Sequence, residues 1–217
     1  MVTPLATHTL GDVLTAVQRQ FGDEDSVQIT DADITRWVNE AQTEINSKDP
    51  MIQATGTVVT TGLETSFPLP TDLMQLDMVV YDTTRLTPVD ASDGVDQVAL
   101  LGTGGSAPVC FYTWANAIYL VPAPDVANHT LTIYYIARPT SVATASDLLG
   151  VPDRYFNEVV SYAMTQAYEL DQDWQAQTVQ NQAFEKGMQD KMLSNRTVVG
   201  GNHVIRDVDE SVDLGWY

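Results

Sequence analysis

Apolar residues recur with two different periods along this chain, and the change of period divides it. Leu10, Val13, Leu14, Val17 and Phe21 fall at helical spacing, which predicts an amphipathic helix from about Thr9 to Phe21. Thr9 is placed to cap it, Asp12 lies in the first turn where the helix dipole favours an anion, and Gly22 stops it. A second helix is predicted from about Asp31 to Ser47, with Ile34, Trp37, Val38, Ala41 and Ile45 on its apolar face. Thr30 or Asp31 begins it. Asp49-Pro50 ends it, because the residue before a proline is driven out of the helical region. The loop between the two is of ordinary length, so they are expected to pack as an antiparallel hairpin.

From Thr55 the helical period is lost. Thr57 to Thr61 is β-branched and bounded by Gly56 and Gly62, which predicts a strand and a turn. Further strands are predicted at Met78 to Tyr81, Arg85 to Val89, Val109 to Trp114, Ala117 to Val121 and Leu131 to Ile136, with a hairpin turn at Ala115-Asn116. Nine of the ten prolines fall between Pro50 and Pro152. Proline ends strands or confines them to edges, so this region is expected to be a small antiparallel sandwich or barrel of short strands. Ser92-Asp93-Gly94 and Gly102 to Ser106 read as loops. The second lacks the lysine and the following helix of a phosphate-binding loop.

Helical spacing returns after Pro152, a residue pre-organised for helix entry. Tyr155, Val159, Tyr162, Ala163 and Leu170 lie along one face, and Leu170 to Asp173 is a break. A further helix follows from about Trp174 to Leu193, with Phe184, Met188 and Met192 on one stripe and Ala176, Val179 and Ala183 on the next. Gly187 weakens that helix by ~1 kcal/mol relative to alanine and leaves room for a close neighbour. The fold class is therefore α+β: a bundle of about four helices, an inserted small antiparallel β-sandwich or barrel, and an extended C-terminal arm. The expected divisions are residues 1–50 for the first helical hairpin, 51–150 for the β insertion, 151–193 for the helices that complete the bundle, and 194–217 for the arm. Each helical pair presents an apolar stripe that must be covered, so Phe21, Trp37, Tyr155, Val159 and Phe184 are expected to share one core.

The arm mixes Val204, Ile205, Val208, Val212, Leu214, Trp216 and Tyr217 with four carboxylates. Leaving its two aromatics in water is unfavourable by several kcal/mol, at roughly 25 cal/mol per Å² of apolar area. It is expected to order on a partner.

Charge narrows the possible partners. The 217 residues carry 29 acids and 10 bases, a formal net charge of −19. Acids outnumber bases in every third of the chain, so no basic patch is expected and tight nucleic-acid binding is disfavoured. Hydrophobic content of 44% against 18% charged describes a globular chain. No stretch reads as a signal peptide or approaches the ~20 apolar residues of a membrane span, so synthesis in a cytoplasm is expected, with no membrane partner. Cys110 lies in a strand-like run and is expected to be a buried, inert thiol.

Candidate chemistry is sparse. His8, His129 and His203 are far apart and show no metal-ligand spacing. Gly22 to Ser26 is acidic, but Asp31-Ala32-Asp33 lacks the glycine of a calcium loop. Nothing resembles a nucleophile elbow, and with so many acids a coincidental carboxylate pair carries no weight. No enzyme activity, metal or cofactor is expected.

Several strings stand in a telling order: Leu69 to Leu73 (Leu-Pro-Thr-Asp-Leu), Ile118 to Pro124 (Ile-Tyr-Leu-Val-Pro-Ala-Pro), Tyr134 to Pro139 (Tyr-Tyr-Ile-Ala-Arg-Pro), Pro152 to Tyr155, and Ala167 to Glu169 (Ala-Tyr-Glu). Over roughly residues 9 to 193 this order resembles the head-to-tail adaptor (connector) proteins of tailed bacteriophages, of the short-tailed type. The resemblance implies a virion protein at the head-tail junction, in a ring of twelve copies below the portal. It implies a lower rim that receives a tail nozzle or tail protein, and genomic DNA passing through without specific binding. It also implies that the arm reaches the portal, through Arg196, Val204, Ile205, Arg206, Val208, Leu214, Trp216 and Tyr217. The alternative from residues alone is a stand-alone β-sandwich module binding glycan or protein, with Trp114 and Trp216 as contacts.

Overall fold

Helix α1 (Leu10–Phe21) begins at a reciprocal capping box: the Thr9 N–H donates to Asp12 Oδ2 at 2.8 Å, and the Asp12 N–H donates to Thr9 Oγ1 at 3.3 Å. It ends at Gly22, whose φ of 84° is the left-handed conformation that glycine tolerates best. Thr30 caps α2 (Asp31–Lys48) through its hydroxyl alone, accepting from the Asp33 N–H at 3.2 Å. The structure is a computed structural model and describes residues 6–62, 64–101, 107–124 and 126–198. After α2 come β1 (Gln53–Val59), β2 (Ser66–Pro68), β3 (Leu73–Tyr81), β4 (Thr84–Arg85), β5 (Thr87–Pro88), α3 (Ala91–Leu101), β6 (Cys110–Trp114), β7 (Ala117–Val121) and β8 (Thr130–Ala137). A single 3-10 turn at Asp153–Tyr155 leads into α4 (Phe156–Leu170), and α5 (Trp174–Val198) follows. The molecule is α+β, as the change of period predicts.

The strands form two four-stranded sheets, ordered β1-β8-β3-β4 and β2-β7-β6-β5. Phe67, Val79, Leu86, Phe111, Ile118, Leu120, Leu131 and Ile133 fill the space between them. Ala115 and Asn116 both have positive φ, 49° and 61°, which a two-residue turn of type I′ requires.

Four local expectations are corrected. Ser92-Asp93-Gly94 is not a loop but the first turn of α3. The insertion is not wholly antiparallel, since β5 pairs with β6 in parallel through Thr87 and Pro88. The first strand is Gln53–Val59 rather than Thr57 to Thr61, and Gly56 lies inside it: a Cβ there would stand 3.3 Å from the Pro70 ring. Finally, α5 continues to Val198, so helix occupies positions 194–198 that periodicity assigns to the arm.

The helices have their own core. Val13, Val17, Ile34, Val38, Ala41, Ile45, Ala163 and Met164 are fully enclosed in it, together with Val142, Leu149 and Val151 from the segment after β8. That segment also straps the start of α1. The Leu10 N–H donates to Asp147 O and the Gly11 N–H to Ala145 O, both at 2.9 Å, and the Leu149 N–H donates to His8 O at 3.0 Å. Amides that a helix start leaves without partners are thereby satisfied.

Candidate functional site

Trp37, Tyr155, Val159 and Phe184 meet in the helical core, and Phe21 packs against it half-buried, its ring 5.5 Å from that of Tyr168. Phe184 brings α5 into this core edge-on to Tyr162, at 5.5 Å between ring centroids. Arg196 falls in the last turns of α5, but its side chain lies outside the described residues. So do Val204, Ile205, Arg206, Val208, Leu214, Trp216 and Tyr217. Trp114 is 65% exposed at the end of β6.

The titratable groups hold structure together. Burial pushes the Cys110 thiol up. His8 stacks on Phe156 at 4.1 Å, and His129 sits 2.5 Å from Asp82. His203 lies outside the described residues. Among the described residues no group of three or more His, Cys, Asp or Glu could hold a metal ion, and no helix is long and apolar enough to cross a membrane. Asp153 clasps the chain entering α1, accepting from the Thr7 hydroxyl at 2.6 Å and from the backbone N–H of Thr7 and His8 at 2.7 and 3.1 Å. Those bonds hold its carboxyl below the usual carboxylate range, the Thr7 hydroxyl contributing most.

The most organised polar feature joins the bundle to the sandwich. Asn39, Gln42 and Asn46 lie at helical spacing on α2, facing the chain that returns from the sheets. Asn39 exchanges two hydrogen bonds with the Val142 backbone, at 2.8 and 2.9 Å. Gln42 accepts from the Gly150 N–H. Asn46, fully buried, donates to Ala137 O at 2.9 Å and accepts from the N–H groups of Met51 and Ile52 at 3.1 Å. Three amides therefore bond the backbone that enters and leaves the insertion, fixing sandwich and bundle as one body. Sequence reasoning missed them. The available signal was amides at i, i+3 and i+7 beside an apolar helical stripe.

A second polar device fastens α5. Glu158 of α4 is buried, pairs through Oε1 with Lys191 of α5, and has Gly187 of α5 opposite it. Its Oε2 has no hydrogen-bond partner among the described residues. Lys48 of α2 reaches Glu185 at 2.5 Å and lies over the Phe184 ring at 5.0 Å. The Tyr155 hydroxyl donates to Asp49. These contacts tie the neighbouring elements to one another.

The second stripe of α5 is largely uncovered, with Ala176 half-buried. Val179 is 59% exposed and Ala183 is exposed, because α4 takes up the Phe184 and Met188 side of the helix and, among the described residues, nothing covers the other.

None of the curated proteins compared with the chain matches it. The family model described as SU10 adaptor protein matches residues 8–206, spanning the first helices, the β insertion and the closing helices alike. With that match over most of its length, the chain, built as a braced two-part body, belongs to the SU10 adaptor protein family, a family of phage adaptor proteins.

Proposed function

We propose that this protein is the head-to-tail adaptor of a tailed phage, assembling as a ring, of twelve copies by analogy with short-tailed phages, between the portal and the tail. The observation that carries the proposal is the family match over residues 8–206. It covers the bundle and the insertion together, so the resemblance is to the whole braced body. In this reading the portal binds the C-terminal arm, with Arg196, Val204, Ile205, Arg206, Val208, Leu214, Trp216 and Tyr217 as contacts. The opposite rim receives a tail protein, and genomic DNA passes through the ring without specific contacts. The amide brace of Asn39, Gln42 and Asn46 supports such a role, since a load-transmitting ring needs its two layers fixed relative to one another.

The test is co-assembly with purified portal rings, for the full chain and for a chain ending at Val198. The truncation removes no described residue of either core, so its circular dichroism and melting should match those of the full chain while portal binding is lost. Normal portal affinity in the truncated protein would overturn the arm assignment. Failure of the full chain to bind portal or to form rings would overturn the adaptor reading itself.

A further inference from the structure

We infer that the outward face of the first half of α5, from Trp174 to Ala183, is the surface on which a second copy of this chain docks. The inference rests on the ring reading above and places one side of its subunit contact.

Between Asp173 and Glu185 α5 carries no charged residue: the run is Trp-Gln-Ala-Gln-Thr-Val-Gln-Asn-Gln-Ala-Phe. Only Phe184 of this run is buried. Trp174, Gln175, Thr178, Val179, Gln182 and Ala183 are all exposed, and Val179, a β-branched apolar residue, stands 59% exposed. Leu170, just before the turn into α5, is 58% exposed and Trp174 61%, so three large apolar side chains are uncovered at this end of the α4–α5 hairpin. An exposed helix normally carries charges on its solvent side. The second half of α5 does, with Glu185, Lys186 and Asp190.

The occupant follows from charge. Every copy carries −19, so copies repel one another wherever acids meet. A partner chosen for this acidity would be basic and would meet carboxylates. A face from which charge is absent suits a neighbour bearing the same charge. Amide side chains carry both donors and acceptors, so glutamines and asparagines can pair with an identical chain without regard to sign. A ring closes through heterologous contacts, in which this face meets a different face of the next copy.

The test puts acid on the face. The variant Gln175→Glu/Val179→Glu/Gln182→Glu changes only exposed positions, so helicity and melting temperature should be unchanged. Mass photometry over a concentration series, with and without portal rings, should show that it needs at least about tenfold more protein to assemble, the factor that 1.4 kcal/mol of repulsion produces. Val179→Gln, which keeps the face uncharged, should assemble as the parent does. Independently, Val179→Cys carrying a maleimide–benzophenone photo-cross-linker should form covalent dimers on irradiation, since the probe reacts with whatever face of the next copy lies against it, and Cys110, the chain's single cysteine, is buried and not labelled. Assembly of the triple variant at parental concentrations, or cross-links to portal alone, overturns the inference and leaves the ring reading standing. A parent chain that never self-associates, even with portal present, overturns both.

Discussion

Gly187 shows how one residue sets the spacing of two helices. Glycine inside a helix costs about 1 kcal/mol relative to alanine, yet a Cβ at this position would run into Glu158 Oε1. Glu158 is buried and held by Lys191, so it has little freedom to yield. Gly187→Ala is therefore expected to destabilise by about 1–3 kcal/mol through overpacking, read from the midpoint of urea unfolding. A gain in stability would mean that the clasp is loose. Asp23 supplies a pH-dependent prediction. Its carboxylate accepts from the N–H groups of Ile29, Gln28 and Val27 at 2.8, 2.8 and 3.0 Å. These bonds, that of Ile29 foremost, hold its folded pKa below the ordinary value. A depressed carboxyl stabilises the fold above the unfolded pKa, near 4, and that contribution is lost as pH falls through the folded pKa. Stability should therefore drop as pH falls below about 4, and Asp23→Asn should flatten that part of the curve. An unchanged acid limb in thermal melts at a series of pH values would remove Asp23 from the account.

At the scale of elements, legibility followed periodicity. The α1 and α2 pattern, the break at Leu170 to Asp173 and the β6–β7 hairpin could be read directly, because each rests on local signals: a capping threonine, a stopping glycine or an apolar repeat. Helix α3 could not. Its first turn is Ala-Ser-Asp-Gly, a composition that favours turns, and its helical state depends on packing against β6. Gly94 is the contact point, since a Cβ there would overlap the ring of Tyr112, itself stacked on Tyr119 at 4.9 Å. Tertiary contact overrides propensity here. Gly94→Ala should accordingly loosen α3 while leaving the bundle intact. Hydrogen exchange of residues 91–96 should speed up with no change in α2 or α4, and equal protection of α3 in both proteins would show that the helix stands without that contact. The α2 amides were hidden for another reason: a polar residue beside an apolar stripe is also what an ordinary helix boundary looks like, and only the returning backbone at Ala137, Val142 and Gly150 shows what they bind. The exposure of the Val179 side of α5 was not legible, because periodicity reports an apolar stripe without saying whether the same chain covers it.

For the whole molecule the question is how −19 is distributed and what it does to DNA. Several cations are already engaged: Arg36 lies 3.7 Å from Asp33, Lys48 3.5 Å from Glu44, and Lys191 pairs with Glu158. Three of the ten bases are thereby drawn into local pairs, which leaves fewer to neutralise a row of phosphates. A basic surface making six to ten phosphate contacts would bind DNA tightly at low salt and lose roughly 10³–10⁵ in affinity between 50 and 200 mM. This chain should do neither. In the proposed ring, a carboxylate-rich wall would repel phosphates and leave a passing duplex free to move, whereas lysines would grip it. Fluorescence anisotropy of a labelled duplex, titrated with isolated protein at ~10 mM salt where the screening length is about 30 Å, should show no binding at micromolar protein. Any attraction would be strongest under those conditions. Binding that appears there and vanishes with added salt would locate a phosphate-contacting surface, and the inert-conduit reading would then have to be abandoned.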